Sequence, residues 1–216
     1  MKNSPVMVRR EQIDKARAPS PWDLTNRVLY ELCREHPTHT DRGAVLAKVQ
    51  IIGRVYAASI ERRRNKEEDE TTDSFYFSQV APLILESELD RWIDEARSAI
   101  VGSSDSLAVM VKIHKLTTEL FSEISGLNKR SLASKYLHFH VPALFYIFDS
   151  RAEAAIRQFR GVIGSTRAPG VAGDRPYRSF ATKCELVKSV VKADFGVTLS
   201  TRELDNLLLS MVSQTS

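Results

Sequence analysis

Apolar residues recur at intervals of three and four along most of this chain, and that spacing is typical of one face of an α-helix. Val45, Val49 and Ile52 form one such series. Glycine interrupts the pattern rarely, since only nine of the 216 residues are glycine. The sequence therefore predicts an all-α fold, a compact bundle of many helices.

The pattern also suggests how the chain is organised. Residues 1–19 are polar and basic, and we expect a flexible N-terminus there, followed by a single all-helical domain over residues 20–213. One long helix is expected from Asp41 to Arg64, ending in a solvated run of arginines. Gly53 lies inside it, where glycine costs up to about 1 kcal/mol relative to alanine unless another group approaches closely. Residues 161–176 contain four glycines and two prolines, so a mobile loop is expected.

Several classes of protein are not supported. The longest apolar run, Val141 to Phe148, has eight residues and contains Pro142, whereas a membrane-spanning helix needs about 20. The N-terminus has no apolar stretch of signal-peptide length. Two cysteines are too few for a disulfide scaffold and suit a reducing compartment. We therefore expect a cytoplasmic protein without a membrane partner.

Positive charge is concentrated in one part of the chain. The formal net charge is +4, which by itself permits nucleic-acid binding without requiring it. Residues 124–148 contain no aspartate or glutamate, but they include Lys129, Arg130 and Lys135. A partner that carries phosphates, such as DNA, is expected to bind here.

The same region contains the most informative segment, from Ser125 to Arg151. Its pattern predicts a helix, a tight turn, a short helix with Lys135, an apolar stretch, and a further helix that begins at Asp149. A turn between two helices offers backbone amides and cations to a DNA phosphate. The apolar stretch is short enough to bring Asp149 back towards Lys135, and a lysine in such surroundings can act as a nucleophile.

This segment resembles the helix-hairpin-helix DNA glycosylases, particularly the 8-oxoguanine glycosylase-like branch. The resemblance implies that residues 125–128 form the hairpin turn, and that 125–160 form the hairpin and active-site segment. The family usually has two glycines in its hairpin, whereas this chain has only Gly126 there. Asn128 is the residue able to supply the second left-handed conformation, because asparagine tolerates positive φ.

The resemblance also implies the chemistry. Members of the family clamp and kink DNA and extrude one nucleotide, so the substrate would be a damaged base or a hypermodified base of phage DNA. Asp149 would stabilise positive charge on the sugar, and Lys135 would attack the anomeric carbon and permit strand cleavage. No cofactor is implied, and a monomer is expected. The remaining expected site residues are the DNA contacts Gly126, Asn128, Lys129, Arg130, Ser134 and Arg151, and the base-pocket residues Arg54, Tyr56, Phe139 and His140.

Other interpretations stay open. The protein could be a non-catalytic DNA-binding protein, a small helical ribonuclease or toxin-like protein using His138 or His140 with Arg130, or an interaction module for an acidic protein. No metal site is expected, because His138 and His140 point in different directions on a helix. Cys33, His36 and His39 have suitable spacing, but no fourth ligand is evident.

Overall fold

The computed structural model describes residues 8–63, 71–163 and 172–212. These three ranges are helical and contain no β-strand, which confirms the predicted all-α fold. The elements are α1 Arg10–Arg17, α2 Asp23–Glu35, α3 Arg42–Val55, α4 Thr72–Phe75, a π-helical segment Tyr76–Val80, α5 Ala81–Leu85, α6 Leu89–Arg97, α7 Ser104–Ser125, α8 Arg130–His140, α9 Ser150–Gln158, α10 Arg160–Ile163, α11 Arg175–Phe195 and α12 Thr201–Val212.

Helix α8 lies at the centre of the bundle. Every residue from Leu132 to His140 is buried, and α2, α3 and α7 pack around this helix. A helix that is enclosed in this way must satisfy its polar side chains inside the protein, because an unpaired buried polar group is costly. Most polar residues of α8, Lys135 among them, are held by specific partners, whereas the two ring nitrogens of buried His140 have no hydrogen-bond partner among the described residues.

The N-terminal segment is only partly as expected. Residues 1–7 lie outside the described residues, but from Arg10 to Arg17 the chain forms helix α1 instead of a flexible segment. Ile13 and Ala16 are buried, and α1 packs against α12. The prediction of a flexible N-terminus to residue 19 was wrong for α1, because its two apolar residues are buried where the helix packs against the C-terminal helix, which is far away in sequence.

The predicted long helix from Asp41 to Arg64 was also wrong, since α3 ends at Val55. Ala57 has a φ of 51°, and the chain then turns back towards the helix. A Cβ atom on Gly53 would lie 3.0 Å from the Cα of Ser59, so glycine is needed where the returning chain crosses α3. The described arginines of the run, Arg62 and Arg63, consequently lie in a turn and not at a helix end.

A short turn joins α7 to α8. Gly126 ends α7 with a φ of 68°, the left-handed conformation that glycine adopts without strain. Among the described residues other than glycine, positive φ occurs only at Ala57 and Arg63. The expectation that Asn128 is left-handed was therefore wrong. Its side chain instead accepts a hydrogen bond from the amide of Arg130 at 3.3 Å.

Two further expectations concern surface segments and membranes. Half of the predicted loop over 161–176, residues 164–171, lies outside the described residues. The other half includes the end of α10 at Ile163 and the start of α11 at Arg175. Within the part of the chain that the structure describes, no helix has the length and apolar character needed to cross a membrane.

Candidate active site

Lys135 and Asp149 form an ion pair at the centre of the candidate site. The Nζ atom of Lys135 lies 3.1 Å from Oδ2 of Asp149. Lys135 is on the buried helix α8, and Asp149 is the N-cap residue of α9. The two residues meet because Ser134 Oγ accepts a hydrogen bond from the amide of Phe148 at 2.9 Å, which holds the segment before Asp149 against α8.

The ammonium group of Lys135 is fully coordinated by protein acceptors. Besides Asp149, it donates to the backbone oxygen of Tyr56 at 3.1 Å and to Oγ of Ser131 at 3.0 Å. Its side chain is only 3% exposed. An ammonium has three N–H donors, so each has an acceptor, and the amine is held in one orientation.

The carboxylate of Asp149 has two sets of partners. Its Oδ1 atom accepts hydrogen bonds from the amides of Arg151 and Ala152, at 3.0 and 2.9 Å, which caps α9. Burial opposes ionisation, but the charge of Lys135 and the hydrogen bonds outweigh it and hold the pKa of Asp149 below its usual range. Asp149 is therefore a carboxylate at neutral pH.

The ion pair lies in the wall of a cavity of about 1290 Å³. The cavity is bordered by the end of α1, the turn after α3, and the starts of α8 and α9, with α12 on another side. Among the described residues, seven basic side chains but only two carboxylates, Asp149 and Asp205, line it. The basic residues are Lys15, Arg62, Arg63, Lys129, Lys135, Arg151 and Arg202.

Asp205, the second carboxylate, was not among the residues expected from sequence. It lies on α12, its side chain is 6% exposed, and Nη1 of Arg202 donates to its Oδ2 at 2.7 Å. Burial, and the negative charge of Asp149, raise the pKa of Asp205 to about 6, although Arg202 acts in the opposite direction.

The sequence contained no local signal for a role of Asp205. The capping residues before it, Ser200 and Glu203, exchange hydrogen bonds and indicate only where α12 begins. The position of Asp205 depends on the packing of α12 against α1 and α9.

The residues expected to contact DNA fall into two groups. Asn128, Lys129 and Arg151 line the cavity, whereas Gly126 and Arg130 do not. Arg130 is 36% exposed and forms an ion pair with Asp174 at 2.5 Å.

Two of the expected contacts serve the fold itself. Lys129 is buried, and its ammonium donates to the backbone oxygens of Ser59 and Arg62, at 3.3 and 2.8 Å, fastening the turn after α3. Ser134 is fully buried and bonded to the backbone of Phe148. DNA therefore cannot reach Ser134 in this conformation. The side chain forms a hydrogen bond inside the protein and not the expected contact with DNA.

Of the four residues expected in a base pocket, Tyr56 alone lines the cavity. Its hydroxyl donates to Oδ1 of Asn26 at 2.6 Å. Phe139 contacts the Tyr56 ring in an edge-to-face arrangement, with centroids 5.3 Å apart, and is buried. His140 is buried within the core, and Arg54 is exposed outside the cavity, 3.7 Å from Glu61. The structure thus does not bring these three into the cavity.

His138, one of the two histidines that a ribonuclease could use, is enclosed in the core, as is the other, His140. One ring nitrogen, Nδ1, lies 2.9 Å from the backbone oxygen of Phe145, and Nε2 lies 2.7 Å from the hydroxyl of Tyr30. Burial lowers its pKa to about 4, so the ring is neutral at pH 7. An imidazole that is buried and has both ring nitrogens in hydrogen bonds does not favour the ribonuclease interpretation.

The described residues contain no group of three or more histidine, cysteine or acidic side chains placed to hold a metal ion. His39 instead binds Asp90 through Nδ1 at 2.5 Å and the hydroxyl of Tyr136 through Nε2 at 2.6 Å. Cys33 is a buried free thiol.

A comparison with protein families identifies the N-terminal part of the chain. A family model described as HI_0787_N, N-terminal domain, matches residues 8–144, which is more than half of the chain. The chain belongs to this family. The HI_0787_N match includes Lys135 but ends before Asp149 and Asp205. Searches of curated proteins and of solved structures found no match.

Proposed function

We propose that the protein is a DNA N-glycosylase that removes a modified base from a nucleotide extruded into the cavity. One observation carries the proposal: the Lys135 ammonium and the Asp149 carboxylate lie 3.1 Å apart in the wall of a large cavity rich in basic residues. This is the pair of groups that the resemblance to helix-hairpin-helix glycosylases implies.

The size and charge of the cavity support an extruded nucleotide as the ligand. Small-molecule sites usually measure about 300–1,000 Å³, and this cavity is larger, at about 1290 Å³. The excess of basic over acidic side chains suits a phosphate backbone. Exposed Arg62, Arg63 and Arg151 are the side chains that would contact it.

Asp149 would act on the sugar. When the bond between C1′ and the base breaks, its electron pair leaves with the base and positive charge develops on the sugar ring. A carboxylate fixed in place stabilises such a charge without having to reorganise. Asp149 meets this requirement, because its capping hydrogen bonds fix its position and its pKa is lowered.

Lys135 would have two roles in sequence. As an ammonium it holds Asp149 in position during base release. Attack on C1′ would require the amine to lose a proton and leave its contacts with Asp149, Tyr56 and Ser131, and the resulting imine would lead to strand cleavage. Base release is the primary activity in this scheme, and strand cleavage is a slower second step.

The test uses duplex oligonucleotides that each carry one modified base, among them 8-oxoguanine, hypoxanthine, uracil and 5-hydroxymethylcytosine. Alkali converts abasic sites into breaks, and borohydride traps an imine. We expect base release by the wild type, its loss in Asp149→Asn with DNA binding retained, and loss of trapping in Lys135→Gln.

A second ion pair provides matched controls. Lys112 binds Glu95 at 2.8 Å on the protein surface, outside the cavity. Lys112→Gln and Glu95→Gln should behave as the wild type. Full activity of Asp149→Asn would contradict the proposed role of the carboxylate.

The alternative with specific support is a DNA-binding protein without catalysis. It is favoured by the complete coordination of Lys135, which is also what a purely structural ion pair requires. In that case the protein would bind unmodified duplex with a steep salt dependence and release no base from any oligonucleotide.

A further inference from the structure

Asp205 shares the cavity with the Lys135–Asp149 pair but has no part in the scheme above. It reaches this position because α12 packs against α9, whose N-cap is Asp149. The Oδ2 atom of Asp205 is bound by Arg202, one turn earlier on α12. Cavity walls usually keep few buried carboxylates, since each has a desolvation cost. A second one beside Asp149 therefore calls for a chemical explanation.

The two carboxylates have different surroundings. Asp149 accepts two amide hydrogen bonds and pairs with Lys135, all of which favour its ionised form. Asp205 is more deeply buried and faces the negative charge of Asp149, which favours its protonated form. When the surroundings shift the pKa values of two neighbouring acids in opposite directions, the ionised acid is suited to stabilise a cation and the protonated acid is suited to donate a proton.

The charged groups around Asp205 come from each helix packed near it. The cations that oppose its protonation are Arg202 on its own helix, Lys135 of α8 and Arg151 of α9. From α1, Lys15 lines the same cavity, and Arg17 is bound to Glu203. The other ionisable neighbours stay neutral, because burial raises the pKa of Tyr30 to about 12 and raises those of Tyr56 and Cys184 further above their usual values.

We propose that Asp205 is the general acid of this cavity and donates a proton to the departing base. The inference rests on the proposed glycosylase function. As the bond between C1′ and the base nitrogen breaks, its electron pair moves onto the base, and the proton of Asp205 neutralises it. Water then adds to C1′ and returns a proton to the Asp205 carboxylate, so the acid is regenerated.

This role identifies the substrate class. A base that already carries a positive charge leaves without help, whereas a neutral base leaves as an anion unless it is protonated. A general acid in the cavity therefore accelerates the release of a neutral base only. The substrate is therefore a neutral modified base with a ring nitrogen or carbonyl oxygen that accepts the proton.

The test is a single-turnover pH profile on whichever base of the oligonucleotide panel the wild type excises. The wild-type rate should fall about tenfold per pH unit above about pH 6, where Asp205 loses its proton. Asp205→Asn should lower the rate at pH 6 by about 10²–10⁴-fold and abolish that decline. Asp205→Glu should retain the decline and recover part of the rate.

Asp174→Asn is the matched control, because the side chain of Asp174 is only 7% exposed and also pairs with an arginine, Arg130, outside the cavity. It should leave both rate and profile unchanged. If Asp205→Asn keeps the wild-type decline, whether its rate is reduced or not, or if Asp205→Glu loses the decline, the general-acid role is overturned while glycosylase activity stands. If the wild type releases no base from the panel, both proposals fall together.

Discussion

Replacing Asp205 by asparagine should change the pH dependence of stability by an amount that follows from its burial. The pKa of this carboxyl rises from 3.8 to about 6 in the folded protein. The difference of about two units corresponds to about 3 kcal/mol, because each unit is worth 1.36 kcal/mol. Below pH 3.8 the carboxyl is protonated in both states and contributes nothing. As the pH rises towards 6, the unfolded chain loses its proton first, so the folded state becomes less stable.

Asparagine does not titrate, and the variant should escape this loss. We therefore expect Asp205→Asn to gain about 3 kcal/mol of unfolding free energy relative to the wild type between pH 4 and pH 7.5. Urea unfolding followed by far-ultraviolet circular dichroism measures both proteins at each pH. A difference between Asp205→Asn and the wild type that stays constant across this range would refute the reasoning.

Other outcomes are expected on the same physical grounds. Gly53→Val should destabilise the protein by about 1–3 kcal/mol in urea unfolding, because its Cβ would meet the backbone of the returning chain. The control Gly43→Ala brings a Cβ to 3.3 Å from Oδ1 of Asp41, a side chain and not backbone, and should therefore destabilise the protein less than Gly53→Val. Lys135→Met should raise the pKa of Asp149, measured by carbon-detected NMR titration, and an unchanged pKa would show that the ion pair is weak. Burial lowers the pKa of His138 from 6.5 to about 4. The unfolding free energy of the wild type should therefore fall by about 3 kcal/mol as the pH falls through that window, and His138→Gln should remove this loss. If urea unfolding gives both proteins the same slope of unfolding free energy against pH, the prediction is contradicted.

Local patterns predicted much of the helical structure correctly. The turn at Gly126 and the cap at Asp149 each follow from residues within a few positions of one another. The approach of Asp149 to Lys135 was also predictable from nearby residues, because the apolar connection between them is short, becomes buried and returns the chain to α8. The glycosylase function remains a proposal that this proximity motivates.

The errors arose where distant segments meet. Periodicity favoured a continuous helix through Gly53, but the helix ends at Val55, and the close approach of Ser59 is not visible in the spacing of apolar residues. The polar and basic character of residues 1–19 favoured a flexible segment, yet α1 buries Ile13 and packs against α12 at the other end of the chain. His140 and Phe139 were expected in a pocket, but both lie on the part of α8 that is buried in the core and do not line the cavity.

The sequence alone determined the helical class, the basic stretch without acids, and the pairing of Lys135 with Asp149, because helix periodicity, charge distribution and short connections are properties of neighbouring residues. Tertiary structure alone decided that Asp205 stands in the same cavity and is pushed towards its protonated form. Burial and the distance between charges set the pKa of a carboxyl. For Asp205 both depend on how α12 packs against α1 and α9, helices far from it in sequence.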